Sequence, residues 1–215
     1  MCGRMAAVFS SEDAKEEFEI DVIKKDFSPR YNLAPTQDTP VIISGSKVFD
    51  LFKWGLIPYW AKDKNIGYKM INTRSETIAE KPVFKKAFQD FRCAILISGF
   101  YEWKDKIPFY FKLKGAKIFA LAGIASLWKN ESGIEIGTCS IITVESNSLI
   151  KKFHDRMPVI LDKEKIDIWI KKQNKDIDFL QSFLKPFSPK KMEYYQVSDK
   201  VNSVKNESPD LVDEI

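Results

Sequence analysis

Apolar runs dominate the middle of the chain, and most of them are rich in β-branched and aromatic side chains. Turn residues such as Gly, Pro, Asn and Asp separate these runs, as is typical of strands in an antiparallel or mixed sheet. The pattern predicts strands at residues 41–44, 47–54, 93–103, 108–113, 117–126, 134–144 and 192–197.

Helical segments are fewer and lie between the strand groups. A plausible serine cap and early acidic residues predict a helix at residues 11–20. Further helices are predicted at residues 75–91 (with a break near Pro82), 146–153, 162–173 and 179–184. Because helices and strands do not alternate strictly, the order favours an α+β fold over a doubly wound parallel sheet. We predict one domain over residues 1–206, followed by an acidic, frayed tail at residues 207–215.

The composition is that of a globular chain, with 44% hydrophobic and 30% charged residues. No apolar run approaches the roughly 18 residues that a membrane span needs, and the first residues lack the layout of a signal peptide. The three cysteines, at positions 2, 93 and 139, form neither a disulfide framework nor a Cys-x-x-Cys metal site. We therefore expect a cytoplasmic protein without metal or organic cofactor, with Cys93 and Cys139 as core residues.

The net charge of +4 permits a nucleic-acid partner without requiring one. Only five of the 34 basic residues are arginine, so each arginine is a candidate for forked contacts that lysine cannot make. For Arg30 and Arg92 we expect purely structural roles.

Cys2 offers chemistry that no other side chain provides. Removal of Met1 would leave an α-amine and a thiol on one residue, and the amine has a reference pKa of about 7.7–8.0. A neutral amine attacks an aldehyde to form a Schiff base, and the adjacent thiol can close a thiazolidine ring intramolecularly. The alternative is that Cys2 is an ordinary frayed terminal residue.

Two ionisable side chains are candidates for proton transfer. His154 is the only histidine and lies beside Asp155 and Arg156 at a predicted helix-to-strand junction. Glu102 lies between Tyr101 and Trp103, where partial desolvation would raise its pKa. An outward-facing glutamate on an alternating strand would fit the pattern at Glu102 equally well.

Other polar and aromatic residues fit either a binding or a structural role. Asn72 and Arg74 suit a substrate oxygen and a phosphate, but their segment also fits helix capping. Trp54 is expected in the core, whereas Trp60 is the better candidate to stack on an unpaired base.

Several short motifs occur in a fixed order along nearly the whole chain. They are MCGR (1–4), RYNLAP (30–35), WGLIP (54–58), INTRSE (71–76), GFYEW (99–103), FALAGI (119–124), IT (142–143), HDRMP (154–158) and VKN (204–206). Together they resemble the SRAP (SOS-response-associated peptidase) family. Met5 departs from the pattern, because the family often has an aromatic residue at this position.

The resemblance implies a compact α+β domain with a barrel-like core, peripheral helices and a positively charged groove. It also implies self-removal of Met1 and covalent linkage of Cys2 to the opened sugar of an abasic site in single-stranded DNA. The implied active-site residues are Cys2, Asn72, Glu102 and His154. The implied phosphate contacts are Arg4, Arg74 and Arg156, with Trp60 and Thr143 lining the DNA path.

Two other functions remain open from the sequence. A cysteine or N-terminal-nucleophile peptidase acting in trans could use Cys2, Asn72 and His154. A noncovalent module that binds modified DNA would not need the Cys2 thiol. In either case we expect a monomer with no membrane partner.

Overall fold

A computed structural model describes residues 2–43 and 47–215. Within them the chain forms 14 strands: β1 (Met5–Ala7), β2 (Val22–Ile23), β3 (Arg30–Leu33), β4 (Asp38–Ile43), β5 (Val48–Trp54), β6 (Asn72–Arg74), β7 (Arg92–Ile97), β8 (Gly99–Lys104), β9 (Ile107–Leu113), β10 (Phe119–Lys129), β11 (Glu135–Glu145), β12 (Arg156–Pro158), β13 (Ile160–Leu161) and β14 (Met192–Gln196). Ser44, the predicted end of the first long strand, lies outside the described residues, as does Met1.

Five of these strands close into a ring. β4 pairs with β5 and β7, β10 pairs with β7 and β11, and a parallel contact between β11 and β5 completes the circuit. All six residues of β7 are buried, which explains why residues 93–97 form a continuous apolar run rather than an alternating pattern. The barrel-like core expected from the resemblance is confirmed.

A second sheet, in the order β14-β9-β8-β1-β3, packs against this ring. The predicted run at residues 93–103 is in fact two strands in different sheets, because the chain passes from β7 to β8 through the single residue Ser98. β1 was not predicted. Its three residues pair with both β8 and β3, so partners that are distant in sequence hold it extended.

Four α-helices lie outside the sheets in the described part of the chain: α1 (Ser11–Phe18), α2 (Pro82–Asp90), α3 (Ile166–Ile170) and α4 (Ile177–Ser182). A capping box between Ser10 and Asp13 starts α1. The helix predicted at residues 75–91 begins instead with a 3-10 turn (Ser75–Thr77), and α2 starts at Pro82, a favoured first helical position. The helix predicted at residues 146–153 is only a 3-10 turn, Ile150–Lys152.

The last residues are packed rather than frayed, contrary to the expectation for residues 207–215. Leu211 is fully buried with Tyr101 and Tyr110 in a small apolar cluster. The Tyr195 hydroxyl donates to the Val212 carbonyl at 2.8 Å, and the Ile215 N–H donates to the Gln196 carbonyl at 3.2 Å. The acidic composition suggested a solvated tail, but one leucine anchors the segment to the second sheet.

The expected structural residues occupy the core. Cys93 and Cys139 are buried and free, and Arg92 is buried with its guanidinium donating to five backbone carbonyls, including those of Phe88 and Trp169. The structural role expected for Arg92 is therefore confirmed. In the described part of the chain, no helix has the length and apolar character needed to span a bilayer.

Candidate active site

Cys2 lies three residues before the start of β1 and is buried, with 1% of its surface exposed. Pairing of β1 with β8 continues beyond the strand end, because the Tyr101 N–H donates to the Arg4 carbonyl at 3.0 Å. This register brings Cys2 toward Glu102. Burial raises the pKa of the Cys2 thiol, and the nearby Glu102 carboxylate raises it further. The frayed-end alternative for Cys2 is therefore wrong in this structure.

Asn72 fixes the main chain of Cys2. Its Nδ2 donates to the Cys2 carbonyl at 2.8 Å, although the two residues are 70 positions apart. Parallel pairing of β6 with β11, with Asn72 opposite Ile141, sets the position of the Asn72 backbone. The Oδ1 atom of Asn72 is buried, and no donor in the described residues reaches it. Asn72 thus holds the Cys2 carbonyl through Nδ2, while its Oδ1 accepts no hydrogen bond from the described residues.

Glu102 faces the interior, so the outward-facing alternative is wrong. It is 5% exposed and lies on β8 opposite Phe109 of β9. Burial raises the pKa of its carboxyl from the ordinary 4.5 to about 7. A carboxyl with this pKa exists in both protonation states near neutral pH, as a proton carrier must. The expected desolvation of Glu102 is present, because its side chain is buried in the fold.

The residue before His154, Phe153, packs beside the strand pair that carries Glu102. The Phe153 ring packs against Phe109, the cross-strand partner of Glu102, with ring centroids 4.9 Å apart. The Nδ1 atom of His154 accepts the Arg156 N–H at 2.9 Å. Burial lowers the pKa of His154, which favours the neutral ring. A neutral imidazole whose Nδ1 accepts carries its proton on Nε2.

The three arginines expected at DNA phosphates differ in whether their guanidinium groups are already bound to protein acceptors. Arg74 is exposed, and its guanidinium has no hydrogen bond or ion pair with the described residues. Arg156 forms a forked ion pair with Glu76, at 2.6 Å from Nη1 and 2.9 Å from Nη2. Arg4 donates through Nη1 to Asn32 Oδ1 at 2.7 Å and to the Val201 carbonyl at 2.6 Å.

Of these three arginines, Arg74 is therefore the one whose guanidinium meets no acceptor in the described part of the chain. Arg4 and Arg156 would first have to exchange protein acceptors for phosphate oxygens, so the structure does not present them as the open forks that the resemblance implied.

The two residues expected along the DNA path also differ. Trp60 is 56% exposed and borders a cavity of about 230 Å³ lined by Pro58, Pro82, Val83 and Leu127 among others. Thr143 is fully buried, and its hydroxyl donates to the Thr73 carbonyl at 3.1 Å. Direct contact between Thr143 and DNA does not agree with this position. Trp54 is in the core, as predicted, and donates to the Ile71 carbonyl at 2.9 Å.

Comparison with known proteins identifies the family. A family model described as SOS response associated peptidase (SRAP) matches residues 1–204. The chain belongs to the SRAP family. Among its relatives, the abasic site processing protein YoqW of Bacillus subtilis (strain 168) is 46% identical over 222 residues, which cover 99% of each protein. The abasic site processing protein HMCES of Xenopus tropicalis is 28% identical over 267 residues, covering 99% of this chain and 78% of that protein.

Solved structures support the same assignment of fold. A crystal structure of a Bacteroides thetaiotaomicron protein superposes on this SRAP chain with a TM-score of 0.89 at 28% identity, covering 100% of both chains. A Bordetella bronchiseptica protein at 19% identity matches with a TM-score of 0.80, covering 92% of this chain and 100% of the other. At 19% identity, the match to the Bordetella bronchiseptica protein supports only the assignment of the fold.

Two SRAP residues near the site were missed by sequence reasoning. Asn32 is fully buried, accepts from Arg4, and donates through Nδ2 to the carbonyls of Val201, Ser203 and Asn206. Glu76 holds Arg156. Both lie inside motifs, but nothing in the motifs indicates which distant side chain each contacts. In the described residues no group of three or more His, Cys, Asp or Glu side chains is arranged to hold a metal ion.

Proposed function

We propose that this SRAP protein captures abasic sites in single-stranded DNA by a covalent bond to Cys2, after removal of Met1. The arrangement of Cys2 carries the proposal: Asn72 holds its carbonyl at 2.8 Å, beside a carboxyl whose pKa is about 7. The names of its relatives, abasic site processing proteins, support the same class of substrate.

The first step prepares the nucleophile. Water adds across the peptide bond between Met1 and Cys2, methionine leaves, and Cys2 gains an α-amine with a pKa near 8. Self-processing of this kind accounts for a peptidase activity limited to the protein's own first bond. Glu102, poised between its two protonation states, is the group suited to transfer the protons.

The second step forms the Schiff base. An abasic deoxyribose exchanges between a closed hemiacetal and an open aldehyde, and the Cys2 nitrogen attacks C1′ of the open form. The resulting carbinolamine loses one water to give a protonated imine. His154, neutral and carrying its proton on Nε2, is suited to donate a hydrogen bond to the sugar oxygen as the ring opens.

The third step closes the ring. The Cys2 sulfur bonds to C1′, the imine nitrogen takes the electron pair of the C=N bond, and Glu102 accepts the thiol proton. Because burial raises the thiol pKa, the sulfur keeps its proton until this base removes it. The product is a thiazolidine, and one water is released overall. The adduct traps the carbon through which β-elimination would otherwise break the strand.

Noncovalent contacts would hold the DNA beforehand. Arg74 offers a phosphate an exposed guanidinium that no other described residue binds, and the exposed Trp60 ring offers a surface on which an unpaired base can stack.

The test uses a single-stranded oligonucleotide with one abasic site. Wild-type protein should give a heat-stable shifted band, and Cys2→Ala should give none. Cys93→Ala is the matched control, because it removes a buried thiol away from the chain end and should leave the band intact. Cys2→Ser keeps the amine without the thiol, so its adduct should survive only after borohydride reduction. A full-strength band from Cys2→Ala would overturn the proposal.

A further inference from the structure

One ion pair ties together the two segments that carry Asn72 and His154. Glu76 lies in the 3-10 turn Ser75–Thr77, which directly follows β6, and Arg156 begins β12. β6 and β12 both pair with β11: Thr143 is opposite Arg74, and Glu145 is opposite Arg156. The Glu76–Arg156 pair therefore joins the segments on either side of β11.

Arg156 is held from several directions. Its Nη1 and Nη2 donate to the two carboxylate oxygens of Glu76, and Nη2 also donates to the Thr143 carbonyl at 2.6 Å. Its Nε is buried and has no partner among the described residues. The Arg156 side chain is 12% exposed, whereas that of Glu76 is 49% exposed. Such a forked pair fixes both the position and the plane of the guanidinium.

The backbone of the same arginine sets the protonation pattern of the histidine. The Arg156 N–H donates to Nδ1 of His154, so the neutral ring must carry its proton on Nε2. Any displacement of the start of β12 would lengthen this bond and allow the other tautomer. The anchoring of the Arg156 side chain therefore bears directly on the state of His154.

We propose that Glu76 is a positioning residue, which acts through Arg156 to keep His154 in the tautomer with its proton on Nε2. The expected effect of Glu76 on the rate of adduct formation rests on the proposed function, in which His154 takes part. The expected effect of Glu76 on the His154 tautomer is independent of that function, because it follows from the contacts alone. Glu76 thus acts on the histidine through protein contacts alone.

The tautomer can be measured without any DNA. His154 is the only histidine of the chain, so protein labelled with ¹⁵N-histidine gives signals from one imidazole. At about pH 8, where a histidine is neutral, the wild type should show a protonated Nε2 and an unprotonated Nδ1. Glu76→Ala should shift the ¹⁵N signals toward a mixture of the two tautomers. The matched control is Glu17→Ala, which removes an exposed ion pair of 2.8 Å to Lys163 in another part of the fold.

A kinetic measurement distinguishes a positioning role of Glu76 from competition between Glu76 and DNA phosphates for Arg156. At saturating abasic oligonucleotide, Glu76→Ala should slow adduct formation on the order of tenfold, whereas its Kd for undamaged single strands should change less than about twofold. Unchanged ¹⁵N signals in Glu76→Ala would overturn the inference. Tighter DNA binding with an unchanged rate would also overturn it, because Glu76 would then be a competitor of phosphate.

The two proposals fail in different ways. If the wild type forms no adduct but Glu76→Ala alters the tautomer, the proposed function is wrong and the positioning role stands. If Cys2→Ala abolishes the adduct but Glu76→Ala changes neither signals nor rate, the function stands and the positioning role is wrong.

Discussion

The side-chain amide of Asn72 donates to the main-chain carbonyl of Cys2 at 2.8 Å. This bond joins two segments that are 70 residues apart, and it restrains the residue on which both proposed nucleophiles lie. The buried Oδ1 of Asn72, which no donor among residues 2–43 and 47–215 reaches, is then available to accept a hydrogen bond from the Cys2 amine or from the opened sugar.

Replacing Asn72 should affect the rate of capture rather than the binding of DNA. Asn72→Ala removes both the restraint and the acceptor, so the single-turnover rate of adduct formation should fall on the order of 10–100-fold. Affinity for undamaged single-stranded DNA, measured by fluorescence anisotropy, should stay near the wild-type value. An equal loss of rate and affinity would assign Asn72 to DNA binding instead.

Glu102→Gln should stabilise the protein in a pH-dependent way. The pKa of Glu102 is raised from 4.5 to about 7 in the folded state, so between these values the folded state binds more protons than the unfolded state. The stability of the wild type therefore falls as pH rises through this window. Glu102→Gln avoids the cost of burying a charge, on the order of a few kcal/mol above pH 7, and should gain nothing below about pH 4.5.

Urea unfolding at the two ends of this pH window measures the difference. The same variant should form adduct more slowly, because it has no carboxyl to carry protons. An equal stability difference at both pH values would contradict the burial of an ionisable group at this position.

Arg74→Ala should lower the salt dependence of DNA binding. If the Arg74 guanidinium, which no described residue binds, neutralises one phosphate, the magnitude of the slope of log K against log salt should decrease by about 0.7 for a single strand. Arg30→Ala is the control, since Arg30 is occupied by Glu207 at 3.0 Å. A slope equal to that of the wild type would exclude Arg74 from phosphate contact.

The C-terminal segment should contribute measurably to stability. Leu211 is fully buried, so Leu211→Ala should cost about 2–4 kcal/mol in the free energy of unfolding. Ile215→Ala removes a side chain that is 71% exposed and should change stability by less than about 0.5 kcal/mol. Equal, small effects in urea unfolding would show that the segment is not packed in solution.

Sequence alone predicted the long elements and missed the short ones. β7 and β10 each contain a long apolar run, and local pattern suffices to find such strands. β1, β6 and β12 have three residues each, too few to show any period, and pairing with distant strands creates them. These three short strands lie next to or within the segments that carry Cys2, Asn72 and His154.

The sequence motifs nominated the residues of the candidate site but not the contacts between them. The motifs pointed to Cys2, Asn72, Glu102 and His154 by residue type and order. The burial of Cys2 and the occupation of the Arg156 fork depend on side chains brought together only by the tertiary fold. A sequence names the arginines, but it does not show which of them is already paired.

The intact mass of the adduct tests the central claim most directly. Wild-type protein incubated with a single-stranded abasic oligonucleotide should give a species whose mass equals protein without Met1, plus oligonucleotide, minus one water. Peptide mapping should assign the modification to Cys2. An adduct that retains Met1, or one attached to any other residue, would contradict covalent capture by the amine and thiol of Cys2.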